Sequence, residues 1–238
     1  CISKSKFLKL AMKKTILFFV YLLLFNNIAF SGIDKYKNLN YLEYELFRND
    51  NLIGYHKYFF SREGSKLIVK SDVFFNISKL GIVLYEYKAK SEEVYQNNKL
   101  VKFSSKTNQN KKEKYVNISH NSNKKNLLID GSSYKGPAAQ NFIIGTWWNE
   151  EIINAPAQIS AVSGRIIEQN VTLVKKEKIK VNNKEYNTSH YNFASSNKTL
   201  PDKKKLNTDI WYEENSGIWI KAAFDKKGYW EYRLADIK

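Results

Sequence analysis

The chain has 238 residues, of which 43% are hydrophobic and 15% aromatic, and it contains one cysteine. This supply of apolar side chains suits one globular domain, and a single cysteine excludes a fold held together by internal disulfides. The formal net charge of +16 admits an anionic partner, but lysine greatly outnumbers arginine and is spread along the chain. We therefore predict no specific nucleic-acid partner.

The start of the chain has the features of a secretory signal peptide. Met12 is followed by two lysines, by an apolar run over residues 15–25, and by small residues, Ala29 and Ser31, at the positions that a signal peptidase reads. We expect cleavage between Ser31 and Gly32. The expected location is the periplasm of a Gram-negative bacterium.

Two alternatives to cleavage fit the sequence less well. Asn26 ends the apolar run too early for a membrane-spanning helix, and Cys1 is too far upstream to carry a lipid anchor. The predicted organisation is an upstream extension over residues 1–11, a signal peptide over 12–31 and a single β domain over 32–238. Loss of the first 31 residues removes five lysines and leaves a net charge of +11.

Beyond Gly32 the dominant pattern is an alternation of apolar and polar residues, broken by short turns rich in Asn, Gly, Lys and Ser. It is clearest where Leu67 and Val69 share one face and Lys66 and Lys70 share the other. Such alternation predicts strands with one face on a core and one in water. The predicted strands cover residues 41–48, 52–61, 66–77, 83–95, 100–107, 114–119, 126–130, 170–175, 178–181, 185–193, 209–213, 218–224 and 229–234.

The middle of the chain, residues 131–164, lacks this alternation, and we expect a short helix near residues 149–154 and a lid-like role for the stretch. The short connections elsewhere predict antiparallel neighbours. The predicted fold class is all-β: a single antiparallel, strongly curved sheet or incomplete barrel of about ten to twelve strands with little helix. A two-sheet β-sandwich is the alternative.

Residue types that carry catalysis or bind metals are scattered. His56, His120 and His190 lie far apart with no cysteine beside them, so we expect no metal site and no cofactor. Glu92 and Glu93 point to opposite faces of a strand, and we interpret them as solvated charges. With no nucleophile elbow and no phosphate-binding loop, a hydrolase that uses His56 or His190 is the least favoured function.

A series of landmarks occurs along the chain in a defined order and spacing: Ile53-Gly54-Tyr55-His56, Leu80-Gly81-Ile82, Tyr85-Glu86-Tyr87, Trp148, Gly164, Ile210-Trp211-Tyr212, Gly217-Ile218-Trp219 and Tyr232-Arg233-Leu234. In these landmarks the chain is similar to the uncharacterised exported proteins of proteobacteria grouped as domain of unknown function 6134, over residues 46–234. The resemblance implies export and β architecture but assigns no activity, and residues 142–147 and 159–164 depart from the family pattern. More distantly, the chain is similar to curved-sheet periplasmic carriers of acyl chains.

Export, amphipathic strands and many aromatic residues together favour a non-enzymatic domain that binds a lipid or other hydrophobic small molecule on the concave face of its sheet. The alternative is an envelope interaction or structural protein that uses a sheet edge or its basic face on another envelope protein. Membrane contact is expected only through the signal peptide before cleavage. The candidate ligand-binding residues are Tyr55, His56, Tyr85, Tyr87, Trp147 and Trp148.

Overall fold

The computed structural model describes residues 32–238, and the predicted extension and signal peptide lie outside the described residues. Short 3₁₀ turns cover Asp34–Tyr36, Glu150–Ile153 and Asp202–Lys204, and no helix of the described part is long and apolar enough to cross a bilayer. The strands are β1 (Tyr41–Arg48), β2 (Asn51–Glu63), β3 (Lys66–Lys79), β4 (Ile82–Gln96), β5 (Lys99–Gln109), β6 (Lys112–Asn121), β7 (Asn126–Gly131), β8 (Lys135–Ala139), β9 (Ile143–Ile144), β10 (Ala157–Ile159), β11 (Ile166–Val181), β12 (Lys184–Ser195), β13 (Asn207–Glu213), β14 (Trp219–Asp225) and β15 (Tyr229–Ile237).

All fifteen strands belong to one sheet, in the order β8 to β1 followed by β15 down to β9. Strands that are consecutive in sequence therefore pair with each other, except β8 and β9, and the two halves of the sheet join where β1 pairs with β15. Every pairing is antiparallel except that between β9 and β10. Strands β8 and β9 form the two edges, so the described sheet is not closed into a barrel. The all-β prediction is confirmed, and the two-sheet sandwich is excluded.

The predicted strand count of ten to twelve is wrong, because the described residues form fifteen strands, and the separately predicted segments 170–175 and 178–181 are one strand, β11. Strands β8, β9 and β10 lie in the middle stretch, where they are only five, two and three residues long. Strands this short show no alternation that a sequence pattern can reveal. The expected helix near residues 149–154 is a single 3₁₀ turn, Glu150–Ile153, capped by the Asn149 side chain, which accepts from Glu151 N–H at 3.1 Å.

The core lies on one face of the sheet and is rich in aromatic rings. Its main cluster combines Tyr44 of β1, Tyr58 of β2, Phe193 of β12 and Trp219 of β14, so both halves of the sheet curl around the same interior. The rings of Tyr44 and Trp219 stack with centroids 3.7 Å apart. Residues 142–164, here called the cover segment, add Trp148 and Ile152 to this cluster. The cover segment therefore lies on the concave face and leaves part of it open.

Candidate functional site

The uncovered part of the concave face forms a cavity of about 730 Å³. Its floor comes from strands β1 to β5, β14 and β15, and the cover segment closes one end through Gly145, Thr146, Trp147, Ala161 and Val162. Cavities of this size hold small organic ligands in many proteins. The sheet and the cover segment together thus produce a cavity that is closed at one end and open at the other.

Aromatic side chains make up much of the cavity wall. Phe75 stacks on Tyr87 with ring centroids 4.9 Å apart, and Trp230 meets Phe75 edge to face at 5.2 Å. Trp147 approaches Tyr232 from the other side at 5.7 Å. These contacts hold the rings in fixed orientations, because edge-to-face and stacked pairs have preferred geometries. The result is a rigid apolar wall suited to an aliphatic or aromatic ligand.

His56 brings a polar atom to this apolar space. The residue is only 8% exposed, and burial lowers the pKa of its imidazole to about 3, so the ring is neutral at physiological pH. Its ring stacks on Tyr58 at a centroid distance of 4.2 Å. Within residues 32–238, its Nε2 atom has no hydrogen-bond partner.

The neighbouring Tyr58 indicates which nitrogen of His56 carries the proton. Tyr58 donates its hydroxyl hydrogen to the backbone carbonyl of Thr146, so only lone pairs remain for other partners. The hydroxyl oxygen lies 3.5 Å from Nδ1 of His56, and because it has already donated its hydrogen, a hydrogen bond between the two requires Nδ1–H. In that tautomer Nε2 is an acceptor, and it is buried in this structure.

Trp147 lines the cavity with an unusual backbone. Its φ of +65° lies in the left-handed region, which costs about 1–2 kcal/mol for a residue with a Cβ. This conformation sends two successive tryptophans in different directions, with Trp148 into the main core and Trp147 toward the cavity. Tyr212 fixes the turn by donating to the Trp147 carbonyl at 3.0 Å. The Trp147 indole N–H has no acceptor among the described residues, and the nitrogen itself is buried.

The open end of the cavity is basic. Arg48, Lys203, Lys226 and Lys227 line it, and no carboxylate does so within the described part of the chain. The Arg48 guanidinium lies over the Trp230 ring, 5.8 Å from its centroid, and donates to the Lys227 carbonyl. Lys226 donates to the Lys203 carbonyl at 3.2 Å. An apolar chamber with a cationic entrance is complementary to an anionic amphiphile.

Four of the six predicted residues lie together. His56, Tyr85, Tyr87 and Trp147 all line the cavity. Tyr55 does not, because it precedes His56 along β2 and so points to the outer face, where it lines a separate groove. Trp148 is buried in the main core. The two-residue alternation of β15 puts Trp230 and Tyr232 on the same face, so part of the lining could have been predicted. The lining residues that sequence reasoning missed include Arg48, Phe75, Phe224, Trp230 and Tyr232.

Glu93 is a correction to the sequence interpretation, because this carboxylate is buried, with an exposed fraction of 2%. It accepts from the Tyr95 hydroxyl at 2.6 Å, the Thr146 hydroxyl at 2.8 Å and the Trp148 indole N–H at 2.9 Å. Burial raises the pKa of the carboxyl group, and the three donors oppose that rise. Glu93 thereby connects β4 to the cover segment, which closes the cavity.

The other candidate residues form no shared site. The His190 ring stacks on Trp211 at 4.1 Å, and its nitrogens lie 3.0 Å from Asp209 and 3.6 Å from Glu177. These carboxylates hold the ring, and no hydroxyl group is among its partners in residues 32–238. Within the same range, no group of three or more His, Cys, Asp or Glu side chains is placed to bind a metal ion.

Comparison with known proteins supports the fold and the family. A beta-barrel-like protein of domain of unknown function DUF1849 from Brucella abortus has a similar structure, with a TM-score of 0.60 and 12% sequence identity over 84% of this chain and 97% of that one. At this identity the similarity concerns the fold alone. No curated protein sequence matches the chain. The family described as domain of unknown function DUF6134 matches residues 44–235, and the chain therefore belongs to this family.

Proposed function

We propose that this protein is an exported periplasmic domain that binds an amphipathic small molecule in its concave cavity. The observation that carries the proposal is the 730 Å³ space walled by aromatic side chains. Burial of an aliphatic chain there releases about 25 cal/mol for each Å² of apolar surface removed from water. The N–H of Trp147 and Nε2 of His56 have no partner among the described residues but are buried, so a ligand would reach them only after a shift of the surrounding side chains.

The charges at the entrance favour a negatively charged head group. Arg48, Lys226 and Lys227 would face it without competition from a lining carboxylate. Because these side chains are solvated, each ion pair adds only a few tenths of a kcal/mol up to about 1 kcal/mol. Apolar burial would therefore supply most of the affinity, while the charges would select among ligands.

We expect a fluorescent fatty acid to bind the exported protein and to quench the tryptophan fluorescence of Trp147 and Trp230. Ala89, on the cavity floor between Val73 and Thr107, is the position to block. Ala89→Trp should lower the affinity about tenfold or more, because the indole occupies the ligand's space. The fatty alcohol of the same chain length should bind about fivefold more weakly than the acid.

A matched control introduces the same indole elsewhere. Asn117 is exposed on β6, between the buried residues Val116 and Ile118, so its side chain lies on the outer face. Asn117→Trp should leave the affinity unchanged. The proposal fails if neither probe binds the unmodified protein, or if both tryptophan variants weaken binding equally.

Export is a separate part of the proposal. We expect the protein recovered from the periplasm to begin at Gly32, which intact mass measurement and N-terminal sequencing would determine. Substitution of Ala29 by a bulky residue such as Phe should block processing, because the peptidase requires a small side chain there. An unprocessed protein retained in the cytoplasm would contradict export while leaving ligand binding open to its own test.

The alternative of a partner bound to the basic outer face has less support. Some lysines on that face are paired with acids: Lys88 lies 2.9 Å from Glu86, and Lys90 lies 3.9 Å from Asp72. Such internal pairs reduce the field available to an anionic partner. We therefore place the function in the cavity.

A further inference from the structure

One hairpin of the sheet extends beyond its neighbours. Strands β3 and β4 pair with each other out to Lys79 and Ile82, whereas β2 follows β3 only to Phe75 and β5 follows β4 only to Tyr87. At about 3.3 Å per residue, the unaccompanied part projects about 13 Å. We call residues 76–86 the free hairpin.

The tip of the free hairpin carries exposed apolar side chains on both faces. Leu80 is 93% exposed, and Ile82, Val83 and Leu84 are each more than half exposed. Successive strand residues point to opposite faces, so the β4 side of the tip is apolar on both, while the β3 side contributes Ser78 and Lys79. Strands β1 and β13 instead bury every second residue. A two-stranded ribbon alone in water is marginal, and contiguous exposed apolar side chains mark an interaction site.

The turn at the tip makes the apolar residue still more unusual. Leu80 and Gly81 have φ values of +51° and +76°, the signs of a type I′ turn, which favours Asn-Gly. Leucine is therefore unfavourable here both for the backbone and for contact with water, and packing inside the protein does not compensate. The other two-residue turns of the described chain with both φ values positive are polar: Asn49-Asp50, Asn97-Asn98, Asn110-Lys111 and Asn182-Asn183.

Many lysines lie at the same end of the strands as the free hairpin. We call this end the hairpin edge; it is distinct from the edge strands β8 and β9. The antiparallel order places the β1–β2, β3–β4, β5–β6 and β14–β15 turns at one edge, and the contact of Lys226 with the Lys203 carbonyl brings the β12–β13 loop there. Three acids at this edge are paired, Asp50 with Arg233, Glu86 with Lys88 and Asp202 with Lys205, while Glu113 and Asp225 have no ion pair among the described residues. The lysines of the edge are Lys79, Lys111, Lys112, Lys198, Lys203, Lys204, Lys226 and Lys227.

We propose that the free hairpin docks the exported protein on an anionic lipid bilayer. Leu80, Ile82 and Leu84 would enter the head-group and upper acyl region, and the lysines of the edge would lie against anionic head groups. This goes beyond the sequence expectation, which confined membrane contact to the signal peptide. The cavity opens at the same edge through Arg48 and Lys227. Docking itself does not depend on what the cavity holds.

The test is co-sedimentation of the exported protein with vesicles of phosphatidylcholine, with and without phosphatidylglycerol. We expect binding only to the phosphatidylglycerol vesicles, weakened by salt. Leu80→Asn should weaken binding about tenfold, because one well-exposed leucine no longer enters the bilayer. The same substitution should raise the Tm by about 2 °C, because asparagine suits the left-handed turn. If Leu80 instead stabilised the fold, Leu80→Asn would lower the Tm.

The matched control lies on β11, where Leu173 and Val174 are about half exposed. Leu173→Asn should leave vesicle binding unchanged, and Leu80→Asn should leave the fatty-acid titration unchanged. Equal loss in both variants, or no binding of the unmodified protein to anionic vesicles, overturns the docking proposal. So does a dimer seen by ultracentrifugation that Leu80→Asn dissociates, because a second copy would then cover the hairpin. If the protein binds the fatty acid but not the vesicles, the cavity proposal stands and the docking proposal is wrong.

Discussion

Replacement of Glu93 by alanine should lower the free energy of unfolding by about 3 kcal/mol or more. The substitution leaves the hydroxyls of Tyr95 and Thr146 and the indole N–H of Trp148 buried without their acceptor. Each unsatisfied buried donor costs about 1–3 kcal/mol. Urea unfolding followed by tryptophan fluorescence would measure the change. Amide exchange should accelerate most in the cover segment, because Glu93 is its polar attachment to β4.

Two further variants make this expectation specific. Glu93→Gln keeps an oxygen for Thr146 and Trp148, so it should lose less stability than the alanine variant. Glu92→Ala is the neighbouring control, since the Glu92 side chain is partly exposed and its ion pair with Lys70 spans 3.8 Å. Equal stability of the Glu92 and Glu93 alanine variants would show that the buried network contributes nothing.

The difference in unfolding free energy between the unmodified protein and Glu93→Gln should change with pH in a definite direction. A carboxyl group with a raised pKa in the folded state binds its proton more tightly there than in the unfolded chain. The stability that this tighter proton binding gives the folded state is complete below the unfolded pKa, near 4.5. It is lost as the pH rises toward the folded pKa. The stability difference between the unmodified protein and Glu93→Gln should therefore shrink as the pH rises above 4.5.

Acidification should destabilise the protein through His56. The unfolded imidazole takes up a proton near pH 6.5, whereas burial holds the folded pKa at about 3. Stability is therefore fully present above pH 6.5 and falls as the pH drops toward 3. The loss reaches about 3 kcal/mol at pH 4.5, because this pH lies two units below the unfolded pKa and each unit adds about 1.4 kcal/mol.

His56→Gln isolates this effect, because glutamine fills a similar space without titrating. Urea unfolding at pH 7.5, 6 and 4.5 should show the variant losing less stability than the unmodified protein. The difference between the two proteins must change with pH. A constant difference over this range would mean that the folded ring accepts a proton as readily as the unfolded one, contrary to its burial.

The sequence predicted the parts of the fold that depend on local alternation. Strands β3 and β4 were recognisable because apolar and polar residues alternate along much of their sequence, and the turns at Gly64 and at Asn97-Asn98 marked two of their ends. The β8, β9 and β10 strands were missed because they are short. In addition, β9 pairs in parallel with β10, and a parallel pair has no short connecting turn that the sequence could reveal. Such strands exist only through the tertiary structure around them.

The candidate site was predictable to a similar extent. Tyr85 and Tyr87 share a face of β4 in the sequence pattern, and the structure places both in the cavity lining. The burial of Glu93 was not predictable, because its donors Thr146 and Trp148 follow more than fifty residues later. The same limit applies to the basic entrance, where Arg48 and Lys227 meet only through the pairing of β1 with β15.

That pairing also has a consequence for how the chain folds. The first and last strands are adjacent in the interior of the sheet, and Asn40 N–H donates to the Lys238 carbonyl at 2.7 Å. Strand pairing between the two halves therefore requires closure of a loop of nearly the whole domain, which slows folding. A chain emerging from synthesis lacks β15 until the end, so it cannot complete its core early. This delay is compatible with passage through a secretion channel that accepts only unfolded polypeptide.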